Sequence, residues 1–135
     1  MAIHINYLAV FLAALASFGF GAVWYMTLGE RWMAALGATK EMLKARHDGR
    51  VSPFIVSILS LILMAFVLAG LIAHFGTPTI RNGLLTGLFC WAGFVLTTVE
   101  TNHAFNGARR ALTLIDAGHW LGVLLVQGLI IGAMG

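Results

Sequence analysis

VETNHAFNGARRALTLIDAGHW, Val99 to Trp120, carries two of the chain's five acidic residues and two of its five histidines between two long apolar runs. It is the most polar insertion into apolar sequence, and its centre, Gly107-Ala108-Arg109-Arg110, reads as the turn of a helical hairpin. Working outward, the flanking runs cover about 80–103 and 112–134, and two more apolar windows lie upstream at about 5–26 and 53–75. A spanning helix needs roughly 20 mainly apolar residues, so each window is long enough to cross a bilayer. The expected fold is all-α: a polytopic membrane protein with four transmembrane helices in an antiparallel bundle, forming a single domain over residues 1–135.

Composition supports this class. With 60% hydrophobic and 10% charged residues and a mean hydropathy of +0.92, the chain holds more apolar surface than a soluble core of its size can bury. Seven of the eight Lys and Arg lie in two segments, 27–52 and the Arg109-Arg110 turn, whereas the opposite side holds only Arg81. By the positive-inside rule both basic segments face the cytoplasm, and both termini lie outside. The expected setting is a bacterial cytoplasmic membrane. Charge of this kind reports orientation in a bilayer, and no nucleic-acid partner is expected. Ala14-Leu15-Ala16 imitates a signal-peptide cleavage site. No Lys or Arg precedes that apolar run, however, and it continues to Met26, so a retained spanning helix is expected. Cys90 is the only cysteine and sits in an apolar run, as a core thiol.

Small residues recur along the apolar windows. Ala9, Ala13, Ser17 and Gly21 repeat every four residues, which sets them on one face where another helix backbone can approach. Gly83 with Gly87, Gly118 with Gly122 and Gly128 with Gly132 repeat the spacing in the last two windows, for contacts within the subunit or between subunits. Tyr7, Trp24, Tyr25 and Trp32 are expected as interface anchors, because amphipathic rings collect at the headgroup level. Segment 27–52 is expected as a basic cytoplasmic loop with short amphipathic pieces on the membrane surface, Thr39 capping one of them. Ser52-Pro53 opens the second spanning helix, and Gly76-Thr77-Pro78-Thr79 makes a tight connection that predicts antiparallel neighbours on either side.

Three stretches together resemble a known family. ALASFGFGAVWYMTLGERWMAALG (Ala14–Gly37), GLLTGLFCWAGFVLTTVETNHAF (Gly83–Phe105) and LTLIDAGHWLGVLLVQGLIIG (Leu112–Gly132) are similar in order and spacing to the DUF1761 family of small membrane proteins. The marks are Trp24-Tyr25, Gly29, Trp32, Asn102 and Asp116-Ala117-Gly118. The resemblance implies a four-helix integral membrane protein and no mechanism.

Chemistry concentrates in the opening stretch. Glu100 and His103 are three residues apart, as are Asp116 and His119, so each pair lies on one helix face. Ala108 is the midpoint between Glu100 and Asp116, which predicts both carboxylates at one depth, about 12 Å below the turn at about 1.5 Å per residue. Glu100, Asn102, His103, Asp116 and His119 form the candidate polar or proton site. Three readings fit: ion pairs and caps involving Arg109 and Arg110; a proton or ion site with a histidine relay; or a metal site of Glu100, His103, Asp116 and His119. The metal reading lacks the further acidic ligands that such bundles draw from other helices, so no metal and no cofactor are expected. No nucleophile stands with a base at motif spacing, and no phosphate loop or zinc motif is present, so an enzyme is not the leading expectation. That place goes to a protein acting through helix contacts in the lipid bilayer, as a homo-oligomer or an accessory subunit of other membrane proteins. The alternative is a small proton- or ion-coupled transporter using Glu100 or Asp116.

Overall fold

The computed structural model describes residues 2–135, which are helical in almost every segment. Helix α1 spans Tyr7–Leu36, α2 Lys40–His47, α3 Pro53–Phe75, α4 Ile80–Asn106 and α5 Arg110–Met134. α1, α3, α4 and α5 are each long and apolar enough to cross a membrane.

Local chemistry sets the helix ends. Asn6 caps α1, its side-chain oxygen accepting from the Ala9 amide, while its Nδ2 donates to the Met134 carbonyl and joins the start of α1 to the end of α5. Thr39, Ser52 and Thr79 cap α2, α3 and α4 in the same way, and Pro53 occupies the first turn of α3, where no amide is needed. Gly107 ends α4 in the left-handed region, its φ of 66° being open to glycine at no steric cost.

Two expectations change. The first helix does not stop near Met26 but runs ten residues further to Leu36, so the segment expected as a loop over 27–52 is largely helix. Glu30 and Arg31 read as an exit from the membrane. Neither breaks a helix, and the chain turns only at Gly37, at a φ of 73°. At 30 residues α1 is about 45 Å long, well beyond a hydrocarbon core of about 30 Å. The second change concerns α3 and α4. Their tight connection makes them sequential and antiparallel, but α3 packs mainly on α1 and α4 mainly on α5.

The centre of the bundle is therefore the antiparallel α1–α5 pair. Ala9, Ala13 and Ser17 are fully buried along α1, and Ala9 and Ala13 join Ala65, Leu68 and Ile72 of α3 and Leu124 and Ile131 of α5 in the main apolar cluster. The glycine pairs act inside the subunit. A Cβ on Gly83 would overlap the Gly128 carbonyl, one on Gly87 would lie 2.6 Å from Leu124 O, and one on Gly132 would overlap the Thr79 carbonyl. Gly118 receives the Trp24 ring and Gly122 the Phe20 ring, so α1 and α5 interlock by rings against bare backbone. Gln127 is fully buried at this junction, donating to Ser17 Oγ at 3.0 Å and to Leu61 O at 3.1 Å, and so ties α5 to α1 and α3.

α4 departs from regular geometry. Residues Trp91–Leu96 form a π segment, whose wider turns loosen the hydrogen-bond ladder. The Thr97 hydroxyl donates to Gly93 O at 2.9 Å, and the Thr98 hydroxyl donates to Phe94 O, supplying donors along this stretch.

Candidate polar site on the α4–α5 hairpin

Four aromatic donors converge on three consecutive residues of α5. Trp24 Nε1 donates to Ile115 O at 3.1 Å, and Trp91 Nε1 donates to Ala117 O at 2.8 Å. Between them Asp116 Oδ1 accepts from the Tyr25 hydroxyl at 2.7 Å and from Trp32 Nε1 at 3.2 Å. Helix carbonyls keep a second lone pair after their ladder bond, which is what the two indoles use. The α1 donors reach this turn because Gly21, Tyr25 and Trp32 lie at helical spacing on one face, and the missing side chain at Gly21 lets α5 come close.

The second Asp116 oxygen faces α4. Asp116 Oδ2 lies 3.8 Å from His103 Nε2, an ion-contact distance rather than a hydrogen bond. On its other side His103 Nδ1 is 2.8 Å from Thr113 Oγ1. Asp116 is thus held from α1 and approached from α4, six residues or about 9 Å along the axis from the start of α5. A carboxylate at that position in an apolar environment needs such partners, because an unpartnered charge is costly there.

The other predicted site residues go elsewhere. Glu100 pairs with Arg110 at 2.6 Å in an exposed position. Asn102 is exposed and makes no side-chain hydrogen bond among the described residues. His119 is buried against α1, where a Cβ on Gly21 would come within 2.8 Å of its Nε2, and its ring packs on Tyr25 and Trp120 with centroids 4.9 and 4.7 Å away. Its Nδ1 has no hydrogen-bond partner among the described residues. The two carboxylate-x-x-His pairs therefore do not face each other. Helix rotation brings one member of each together, His103 and Asp116, and separates Glu100 and His119. No three His, Cys, Asp or Glu side chains gather as a metal site among the described residues.

Tyr7 is exposed, whereas Trp24, Tyr25 and Trp32 turn their polar atoms inward onto α5. Their role as ligands of the 115–117 turn was missed, as were Trp91 and Thr113. The available signal was the seven-residue spacing of Tyr25 and Trp32, two turns apart on one face, which has meaning only if α1 continues past Met26. Arg109 completes the end of the site: its guanidinium donates to Ala34 O at 2.9 Å, capping the last turn of α1 from the α4–α5 turn.

This arrangement is a latch: Tyr25 and Trp32 bind α1 to α5 through Asp116, and His103 approaches the same carboxylate from α4. Neither a curated protein nor a solved structure matches the chain. The family described as "Protein of unknown function (DUF1761)" matches residues 8–132, nearly the whole bundle and all of this site, and the chain belongs to that family.

Proposed function

We propose that the protein works through helix contacts in the membrane, with the outer face of α4 as its assembling surface. The supporting observation is a second small-residue stripe that the subunit leaves uncovered. Gly93, Thr97 and Thr101 recur every four residues on α4 with Ala104 beyond them; all are exposed, and nothing lies within 4 Å of a Cβ built on Gly93. The hydroxyls of Thr97 and Thr101 are already bonded to carbonyls one turn back, so this face presents small, satisfied groups to an approaching helix. The Gly83, Gly87, Gly128 and Gly132 seam is occupied inside the subunit and is not available for assembly. The occupant is a second copy of the chain, α4 against α4. An accessory subunit would place another protein's helix on the same stripe.

The test is the mass of the intact protein released from its own membrane in mild detergent, wild type against Gly93→Leu/Thr97→Leu. A multiple of 14.5 kDa that falls to the single chain in the variant supports the homo-oligomer, and other chains lost in the same way support the accessory form. A wild-type chain running alone would sink the proposal.

A second reading, a small proton- or ion-coupled transporter, is favoured by one observation: the His103–Asp116 contact at 3.8 Å, with Asp116 also held from α1. On this reading Asp116 is the coupling carboxylate and Glu100, paired with Arg110, is not. Flux that survives Asp116→Asn in reconstituted vesicles would remove it.

A further inference from the structure

α2 carries no buried residue and packs little against the bundle, yet its side chains are sorted. Lys40, Leu43, Lys44 and His47 occupy one face at spacings of three, four and seven, and that face looks onto the start of α3. Together with Arg50 and Phe54 they line an open groove of about 580 Å³. No carboxylate lines it, and among the described residues Lys40, Lys44 and Arg50 form no ion pair, although Glu41 and Asp48 are close in sequence. The positive end of the α3 dipole points the same way. Ser52 Oγ has already taken the Phe54 amide, so the helix end adds field rather than that donor.

We propose that this groove binds the phosphate of an anionic phospholipid headgroup. Lys40, Lys44 and Arg50 would contact the phosphate oxygens, while Leu43 and the exposed ring of Phe54 lie along the glycerol and upper acyl carbons. Charge complementarity calls for an anion, and the apolar lining favours a lipid over free phosphate, which gains nothing from Leu43 or Phe54. The position fits as well, because α3 enters its apolar run directly after Pro53. The site is a specific form of the attraction that basic juxtamembrane segments show for anionic leaflets.

The experiment places full-length protein in nanodiscs of phosphatidylcholine containing a minority of phosphatidylglycerol, and counts by native mass spectrometry the phosphatidylglycerol that leaves with the protein. Lys44→Gln/Arg50→Gln removes two groove charges, and Arg31→Gln/Arg46→Gln removes two charges outside the groove. Wild type should retain phosphatidylglycerol in excess of its share, the groove variant should lose retention by roughly tenfold or more at low salt, and the control should stay close to wild type. Adding inorganic phosphate should not displace the lipid. Equal losses in the two variants would reduce the effect to diffuse charge and overturn the site. Absence of any phosphatidylglycerol preference would overturn it too, and displacement by phosphate would reassign the groove to a free anion.

Discussion

The Tyr25 hydroxyl donates to Asp116 Oδ1 at 2.7 Å, joining the two central helices at the point where Trp32 and His103 also meet that carboxylate. The bond spans 91 residues of sequence and fixes both the rotation and the relative height of α1 and α5. Because Asp116 is the one acidic residue of a membrane-length helix, its partners decide whether the carboxylate is tolerated there.

Removing the carboxylate should therefore cost more than removing one donor. Asp116→Ala leaves the Tyr25 hydroxyl and the Trp32 N–H without an acceptor, and is expected to destabilise by about 2–4 kcal/mol. Tyr25→Phe removes one donor and leaves Trp32 in place, with an expected loss of about 0.5–1.5 kcal/mol, as for single hydrogen bonds between membrane helices. Thermal unfolding in detergent measures both. Equal melting temperatures for the two variants would show that Asp116 does not organise the contact.

Glu100 offers the contrast within the same hairpin. It reaches Arg110 at 2.6 Å, but in an exposed setting where solvent screens the pair. Glu100→Gln should leave the melting temperature close to wild type while Asp116→Asn lowers it. The reverse order would mean that the ion pair, and not the half-buried Asp116 carboxylate, holds the hairpin.

Two glycines on α4 should respond in opposite ways. Gly83→Ala drives a methyl group into the Gly128 carbonyl, which is backbone and cannot rotate aside, so a loss of about 3 kcal/mol or failure to fold is expected. Gly93→Ala meets nothing and should be neutral or stabilising by up to about 1 kcal/mol through helix propensity. Expression and thermal stability of the two single variants check this.

Arg109 ties the turn of the hairpin to the end of α1 through Ala34 O. Arg109→Ala should loosen the last turns of α1, with hydrogen exchange of the amides around Trp32 to Leu36 rising roughly fivefold, equivalent to about 1 kcal/mol. Unchanged exchange in that segment would show that Gly37 alone ends the helix.

Depth was legible in the sequence and rotation was not. Reflection about Ala108 pairs His103 with Thr113 as it pairs Glu100 with Asp116, and the His103–Thr113 contact at 2.8 Å follows that register. Which face each side chain takes depends on helix rotation, and helices that are apolar all round leave no periodic signal to fix it. Glu100 thus turned to Arg110, and Asp116 to α1. The small face of α1 was readable because Ala9, Ala13, Ser17 and Gly21 keep strict spacing, and all four are buried. The end of α1 was not, because Glu30 and Arg31 suggested a membrane boundary while the element that stops the helix is Gly37. That one misplaced end hid Trp32, and with it the shared recognition of Asp116 by two aromatic donors.

The central claim is that α4 turns one seam inward and offers the other for assembly. The most direct test is disulfide trapping in native membranes, with Cys90→Ala as background for a single cysteine introduced at Thr97 or Thr101, and the wild-type chain, whose one cysteine packs against the core cluster, as the inward control. Oxidation should give a dimer band from Thr97→Cys and Thr101→Cys and none from Cys90 in the wild type. No dimer from either threonine position, with no crosslink to any other chain, would contradict the account.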